Sequence, residues 1–383
     1  MATYHQMGND SANLTFDLNL ATYKGSILSP VNQTSDEMLK YVEKTREKQR
    51  TSFEVIFDPQ LYSPRSERGC LPSWPYFPKD VDTADLSALD WWKQTADLVL
   101  STALKMAPNA ICSPAMVPRT FSDAYYEQVV LTSDHLTQCL TGSTHRSIMT
   151  AIVDLEQTGT PNYSNTVTSI LSRAKTNEVY LVFYSTTEPR REQKDTEALK
   201  GAMKVIEKLE SAGMRVLVGF CSTDVLLWKA AGATACATGK FFNIRRFTLG
   251  RFDEPKDGGG QIPYWIEEAL LALVRQSDLI RLQQRGMLSE ASRRNPFGAD
   301  IINAFTNNKP WLALSWKQYL WWFADVEQRL TLKSVTAQDL INTADSNWAS
   351  LEETPRMIFE ERKNDGSWTR EWLRAIEELS SFV

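Results

Sequence analysis

Hydrophobic and polar positions alternate most regularly between residues 167 and 238. VTSILSRAK (167–175) reads as a helix and EVYLVFYS (178–185) as a near-continuous apolar strand. TEALKGAMKVIEKLESAG (196–213) is a helix with Gly213 as its natural stop. MRVLVGF (214–220) is a strand, STDVLLWKAAG (222–232) a helix stopped by Gly232, and ATACAT (233–238) a small-residue strand. Helices set between buried strands imply right-handed crossovers and a parallel sheet. Upstream, GSILSPV (25–31), FEVIFD (53–58), AICSP (110–114), EQVVLT (127–132) and IMTAIVDL (148–155) add strand candidates, the region between the last two being equally compatible with helix. SDEMLKYVEKTREKQR (35–50) and LSALDWWKQTADLVLSTALKM (86–106) read as helices, and the prolines between 59 and 78 forbid regular helix there. Up to eight strands before residue 240 predict an α/β fold, a (β/α)8 TIM-like barrel first and an open doubly wound sheet second.

After residue 260 the pattern becomes helical: 262–286, 308–330, 336–353 and 367–379 all read as helices. The expected organisation is a flexible N-terminus over 1–12, a catalytic barrel over 13–255 and an α-helical C-terminal domain over 256–383. The run Gly258-Gly259-Gly260 reads as a flexible loop within the connecting segment 245–263. The tryptophans of the helical part, including Trp311, Trp316, Trp321 and Trp322, read as core more readily than as a ligand platform.

Composition narrows the class. The 383 residues are 42% hydrophobic and 23% charged, with a formal net charge of −5. That excludes a wholesale basic coat for nucleic acid and leaves a local basic groove open. No apolar stretch approaches the roughly 20 residues of a membrane helix. The first residues lack a secretory pattern, so a cytoplasmic location and no membrane partner are expected. Five cysteines at wide spacing, without a CxxC pair, exclude a disulfide scaffold and a cysteine-built zinc site of standard spacing. Three histidines do not suggest a metal cluster, and no metal or organic cofactor is expected.

In parallel α/β folds, functional side chains cluster at the carboxyl ends of strands. Asp58 closes a β-branched strand, and Pro59 blocks helical continuation behind it; the plainer alternative is an aspartate capping a turn. Asp154 occupies an equivalent strand end, with an N-cap, or a solvated residue on a segment that is helix instead of strand, as its alternatives. Two carboxylates in one barrel mouth are what glycosidic cleavage requires, one facing the developing oxocarbenium carbon and one handling the leaving group or water. Lys240, Arg245, Arg246 and Arg251, interleaved with Phe241, Phe242 and Phe247, form a basic and aromatic cluster able to grip phosphates and stack bases. The alternative is a solvated basic loop over packed phenylalanines. Cys112 and Cys221 have no sequence-positioned histidine and read as small buried residues.

The stretch MRVLVGFCSTDVLLWKAAGATACATGKFFNIRR (214–246) resembles the late barrel of the tRNA-guanine transglycosylases. Val218-Gly219, Ser222 to Leu227, Gly232 and Asn243 to Arg245 carry the resemblance, and FEVIFDPQ resembles an early strand closed by a catalytic aspartate. The resemblance spans roughly residues 25–250. It implies that Asp58 is catalytic and that Asp154 helps to read or hold the base. The family's nucleophilic aspartate is replaced by Ala235-Cys236-Ala237-Thr238, and its cysteine-rich zinc site is missing. Hydrolysis is thereby favoured over base exchange.

The make-up is most similar to DNA-acting relatives of that family, which insert deazaguanines or excise glucosylated hydroxymethylcytosine from phage DNA. The resemblance implies a DNA glycosylase of anti-phage defence, its partner being phage DNA with the modified base flipped out. Gln60, Tyr62, Tyr184, Gly219, Phe220 and Asn243 are the expected substrate-binding residues, with Phe242 a further stacking candidate. Arg65, Lys240, Arg245, Arg246 and Arg251 are the expected nucleic-acid contacts. Base exchange with a deazaguanine on DNA or tRNA, and a non-catalytic nucleic-acid-binding defence protein, are the competing readings.

Overall fold

A computed structural model describes residues 3–20, 22–48, 52–253, 261–352 and 365–380. Eight parallel strands close into a barrel in sequence order. They are β1 (Thr3–Gln6), β2 (Gly25–Ile27), β3 (Glu54–Phe57), β4 (Ala110–Cys112), β5 (Arg146–Asp154), β6 (Glu178–Tyr184), β7 (Arg215–Val218) and β8 (Ala235–Thr238). The barrel choice is therefore correct, and the open sheet is not. Around it run α1 (Ser35–Glu47), α2 (Thr83–Ser87), α3 (Leu89–Leu104), α4 (Asp123–Cys139), α5 (Tyr163–Leu171), α6 (Thr196–Ser211) and α7 (Val225–Ala230).

Two of the expected elements are corrected. The N-terminus is not frayed: Thr3–Gln6 is the strand that closes the barrel, pairing Tyr4 with Gly25 on one side and with Ala237 on the other. EQVVLT is not a strand. It lies inside α4, where Ser122 caps the first turn and Tyr125, Tyr126, Val129, Val130, Ser133 and Leu136 form one buried helical face. Tertiary burial of that face overrides the β-propensity of its valines.

Side chains of alternate positions fill the barrel. At its amino end Glu54 accepts from the Tyr4 hydroxyl (2.9 Å) and pairs with Lys24 (3.1 Å) and Arg146 (2.6 Å), while Arg146 also reaches Glu178 at 3.2 Å. Burial alone would raise the Glu54 carboxyl, but these donors hold it below its ordinary value. This charged plug closes the barrel floor and leaves the chemistry to the opposite end.

The C-terminal part is not all helix. Within the expected helix 262–286, residues 265–274 form an antiparallel hairpin, β9 (Trp265–Glu267) and β10 (Ala272–Val274), before α8 (Gln276–Gln284) begins. Leu271, at φ +48°, turns the hairpin and breaks the expected helix. Then follow α9 (Glu290–Arg294), α10 (Gly298–Thr306), α11 (Leu312–Thr331), α12 (Ala337–Glu352) and α13 (Thr369–Ser380).

These elements share one continuous apolar core with the barrel. Helix α11 lies across the β1/β8 seam. Its Tyr319 hydroxyl meets Thr238 Oγ1 at 2.8 Å, and its buried Glu327 pairs with Lys229 at 3.1 Å and accepts from Thr3. Trp372 of α13 donates to the Gln193 carbonyl beside α6. The expected boundary at 255/256 and the Gly258–Gly260 loop lie outside the described residues. Trp311 and Trp322 are buried, as the core reading requires, while Trp316 and Trp321 are half-buried.

Candidate active site

Asp58 follows β3 directly and sits at the carboxyl end of the barrel, only 1% exposed. Its Oδ2 accepts from the Tyr62 hydroxyl at 2.7 Å, and its Oδ1 accepts from the Gln60 backbone N–H at 3.0 Å. Burial pushes its carboxyl up to about 6, against the pull of Tyr62, the Gln60 amide and the Arg251 guanidinium. At about 6 the carboxyl is mostly ionised at neutral pH, and the ionised form is what a general base or an oxocarbenium stabiliser needs.

The backbone around it is unusual. Gln60 and Phe220, both non-glycine residues beside strand ends, hold φ at +54° and +58°. Such conformations cost about 1–3 kcal/mol each and persist where the surrounding structure enforces them. The Gln60 side chain is enforced by Ser29 and by the Val31 backbone N–H, both donating to its Oε1. Its Nε2 completes no hydrogen bond of good geometry among the described residues, although it lies close enough to the Asp58 carboxylate to help hold it charged. Arg251 Nη1 and Gln6 Nε2 likewise complete none. Gln6 receives the Tyr180 hydroxyl at 2.8 Å, and Tyr180 in turn lies within the field of Asp58 and Arg251. Three unpaired donors therefore belong to the polar neighbourhood of one carboxylate. Each costs roughly 1–3 kcal/mol if it stays unmet.

Residues 239–253 lie over this centre. Phe247 meets Tyr62 and Phe220 edge-on, each at 5.0 Å between ring centroids, and Phe252 meets Tyr62 at 6.0 Å. The segment is tied to β6 through a bridge between Tyr184 and Phe247, and to the Pro-rich loop by the Ser66 hydroxyl, which donates to the Phe252 carbonyl at 2.6 Å. Tyr184 is half-buried and stacks on Phe121. Beyond Tyr62 a groove of about 610 Å³ opens between the loops after β3 and β4. Arg65, Met116, Arg119 and Tyr125 line it, and Arg65 donates to Thr83.

The basic cluster is corrected outright. Arg245, Arg246 and Arg251 are buried and engaged internally, so they present no surface to phosphates. Arg245 donates to the carbonyls of Gly239 and Lys240, and its guanidinium lies 3.3 Å from the centre of the Tyr319 ring. Arg246 pairs with Glu192 at 3.1 Å and lies 3.8 Å from Asp224. Burial pushes Asp224 up to about 7. Arg251 donates to Ser29 Oγ at 3.1 Å and lies beside Phe220; burial lowers it to about 10. Lys240 donates to the Asp10 carbonyl, sits over the Trp316 ring at 3.8 Å and is lowered to about 8 by burial. It is walled in too, so the expected set of nucleic-acid contacts reduces to Arg65.

Asp154 is half-buried at the end of β5 and is occupied by Gln157, which donates to it from both backbone and side chain at 3.1 and 2.9 Å. Asp154 thus caps the turn that follows β5, and it makes no hydrogen bond to Asp58 or to that residue's partners. The buried donors described above gather around Asp58 and not around Asp154. Gly219 is buried against Tyr180 and admits no larger residue. Asn243 is exposed in a 3₁₀ turn over Phe242–Ile244. Arg251 was placed among the phosphate contacts, but it belongs to the acid centre. Gln6 was missed because its strand is polar and four residues long.

No protein-family model and no curated protein matches the chain. Among solved structures it is similar to a GH18 chitinase from Pseudoalteromonas aurantia, at 12% identity over 63% of this chain and 95% of that one, with a TM-score of 0.39. It is also similar to dihydrodipicolinate synthase from Oceanobacillus iheyensis (10% identity, 98% and 96% covered, TM-score 0.35). A family 2 AP endonuclease from Brucella melitensis is a third (13% identity, 62% and 92% covered, TM-score 0.35). These neighbours are TIM-barrel enzymes, and at such values they say nothing about which residues here do chemistry. Among the described residues no helix is long and apolar enough to cross a membrane.

Proposed function

We propose that the chain hydrolyses an N-glycosyl bond with Asp58 as its single carboxylate. The observation that supports this is the grouping of a carboxyl near neutrality with three buried, unpaired N–H donors. In that reading the carboxylate faces the sugar carbon and takes a proton from an attacking water. The C–N bond breaks, its electron pair goes to the base, and the donors of Gln60, Gln6 and Arg251 hold the base oxygen as charge develops. The proton on Asp58 then passes to the departing base, leaving an abasic sugar. Because Asp58 is closed off, segment 239–253 must lift for a substrate to enter.

The substrate we propose is a modified cytosine in DNA, with glucosylated hydroxymethylcytosine as the form to test, in the setting of anti-phage defence. This rests on the resemblance at 214–246, with the groove beside Tyr62 and Arg65 as the approach for the strand. The test incubates the protein with phage DNA carrying glucosylated hydroxymethylcytosine and with plain DNA. Aldehyde-reactive abasic sites and the released base are then measured. Abasic sites confined to the modified DNA and lost in Asp58→Asn are expected; equal activity of that variant would remove Asp58 from the mechanism.

A second reading, a nucleic-acid-binding protein without turnover, is favoured by the complete burial of Asp58 and the occupation of both its oxygens. It requires DNA binding that survives Asp58→Asn, with no abasic sites formed by the wild type.

A further inference from the structure

On two outer helices that carry none of the residues of the acid centre, α3 and α4, three different donors come together. His135 and Cys139 stand one turn apart on α4, so their side chains share a face. Asp97 of the neighbouring α3 faces them. Asp97 Oδ1 lies 2.8 Å from His135 Nε2 and 3.7 Å from Cys139 Sγ, and Cys139 Sγ lies 3.8 Å from His135 Nε2.

Both contacts of the histidine run to the same ring nitrogen. A nucleophilic relay would need the acid on one nitrogen and the thiol on the other. The donors instead converge on a common point. Metal–ligand bonds of about 2.0–2.3 Å at tetrahedral angles set ligand atoms roughly 3.3–3.6 Å apart. The two sulfur separations already fall close to that range, and the third opens by about half an ångström once a cation replaces the shared proton.

We infer that Asp97, His135 and Cys139 form a site for a divalent transition metal of the zinc class, which clamps α3 to α4 and keeps its fourth position open to water. Thiolate, imidazole and carboxylate are all zinc donors, and the ionised pair of Cys139 and Asp97 balances a dication. Asp97 and Cys139 are exposed and His135 is half-buried, so the cation enters directly from solvent. Capture breaks the S–H bond of Cys139, forms the S–metal bond and releases the proton to solvent. Cys139 closes α4, where the negative end of the helix dipole adds attraction.

The experiment titrates the full reduced chain with Zn2+ by calorimetry and with Co2+ by absorption. Cys139→Ser and His135→Ala are measured alongside, with metal-free thermal melts confirming that both variants fold. One equivalent is expected for the wild type, together with a thiolate-to-cobalt charge-transfer band. That band should vanish in Cys139→Ser, and both variants should lose at least the roughly 10–100-fold in affinity that removal of a ligand's outer partner alone costs. Absence of binding to the wild type, or variants that bind as tightly as the wild type, would overturn the site.

Discussion

The Tyr62 hydroxyl donates to Asp58 across 2.7 Å, and this one bond joins a sealed carboxylate to an open groove. Tyr62 belongs to both environments. Its hydroxyl end reaches the acid, its ring packs against Phe220, Phe247 and Phe252, and it forms part of the groove wall. Any ligand that enters from the groove meets Tyr62 before it meets Asp58.

Tyr62→Phe should therefore act on the acid first. The lost hydrogen bond favours the ionised form, and a bond to a charged group is worth about 1.5–3 kcal/mol. The Asp58 carboxyl, already at about 6, should rise by roughly one to two pKa units. The low-pH limb of a pH–rate profile, or carboxyl carbon shifts followed through a titration, will report that rise. An unmoved midpoint would mean that the phenol does not tune the acid.

Asp58→Asn should be more stable than the wild type at pH 7. The folded carboxyl sits at about 6, against 3.8 for an unperturbed aspartate. Between about pH 4 and pH 6 the folded chain holds the proton and the unfolded chain does not, so stability falls as pH rises through that window. Above it the loss is complete, at roughly 3 kcal/mol for two pKa units. Asparagine cannot ionise, so denaturant melts of the two proteins should agree near pH 4 and separate by about 1–3 kcal/mol at pH 7. Asp224, raised to about 7 by burial, contributes a slope of the same sign to both proteins and cancels in the difference.

Gly219→Ala tests whether that glycine serves the substrate or the barrel interior. A Cβ there would lie 2.4 Å from the Tyr180 ring, far inside contact distance. Tyr180 would have to move, and its hydroxyl would leave Gln6. Overpacking of this kind costs about 1–3 kcal/mol. A lowered melting temperature is expected whether or not a ligand is present, whereas a substrate-contact role would leave the melt unchanged.

What the sequence revealed follows from how local each signal was. The segment 167–238 was readable because each strand is a buried apolar run and two of its three helices end at a glycine, Gly213 and Gly232, at φ +84° and +91°. Asp58 was readable because a β-branched run ends on it before a proline. Thr3–Gln6 was not, since its polar side chains are buried only by the closure of the barrel. The arginines of 245–251 were recognised as a cluster but placed outside. No local signal says that Tyr319, some 70 residues on, will stack on Arg245. The Asp97–His135–Cys139 group combines residues from two helices, so no spacing rule along the chain could find it.

Arg245 and Arg65 now make opposite predictions. Arg245 is buried, donates to two carbonyls and stacks on Tyr319. A desolvated cation–π contact is worth about 2 kcal/mol or more, and each hydrogen bond to a charged group about 1.5–3 kcal/mol if broken. Arg245→Ala should therefore lower the melting temperature strongly while leaving the salt dependence of DNA binding unchanged in whatever folded protein remains. Arg65 and Arg119 line the groove, and neither is buried. Each phosphate contact contributes a slope of about −0.9 in the logarithm of duplex affinity against the logarithm of salt. Replacing both with alanine should reduce the slope by roughly two units and barely move the melt. A slope that follows Arg245 instead would mean that segment 239–253 opens far enough on DNA to turn its buried cations outward.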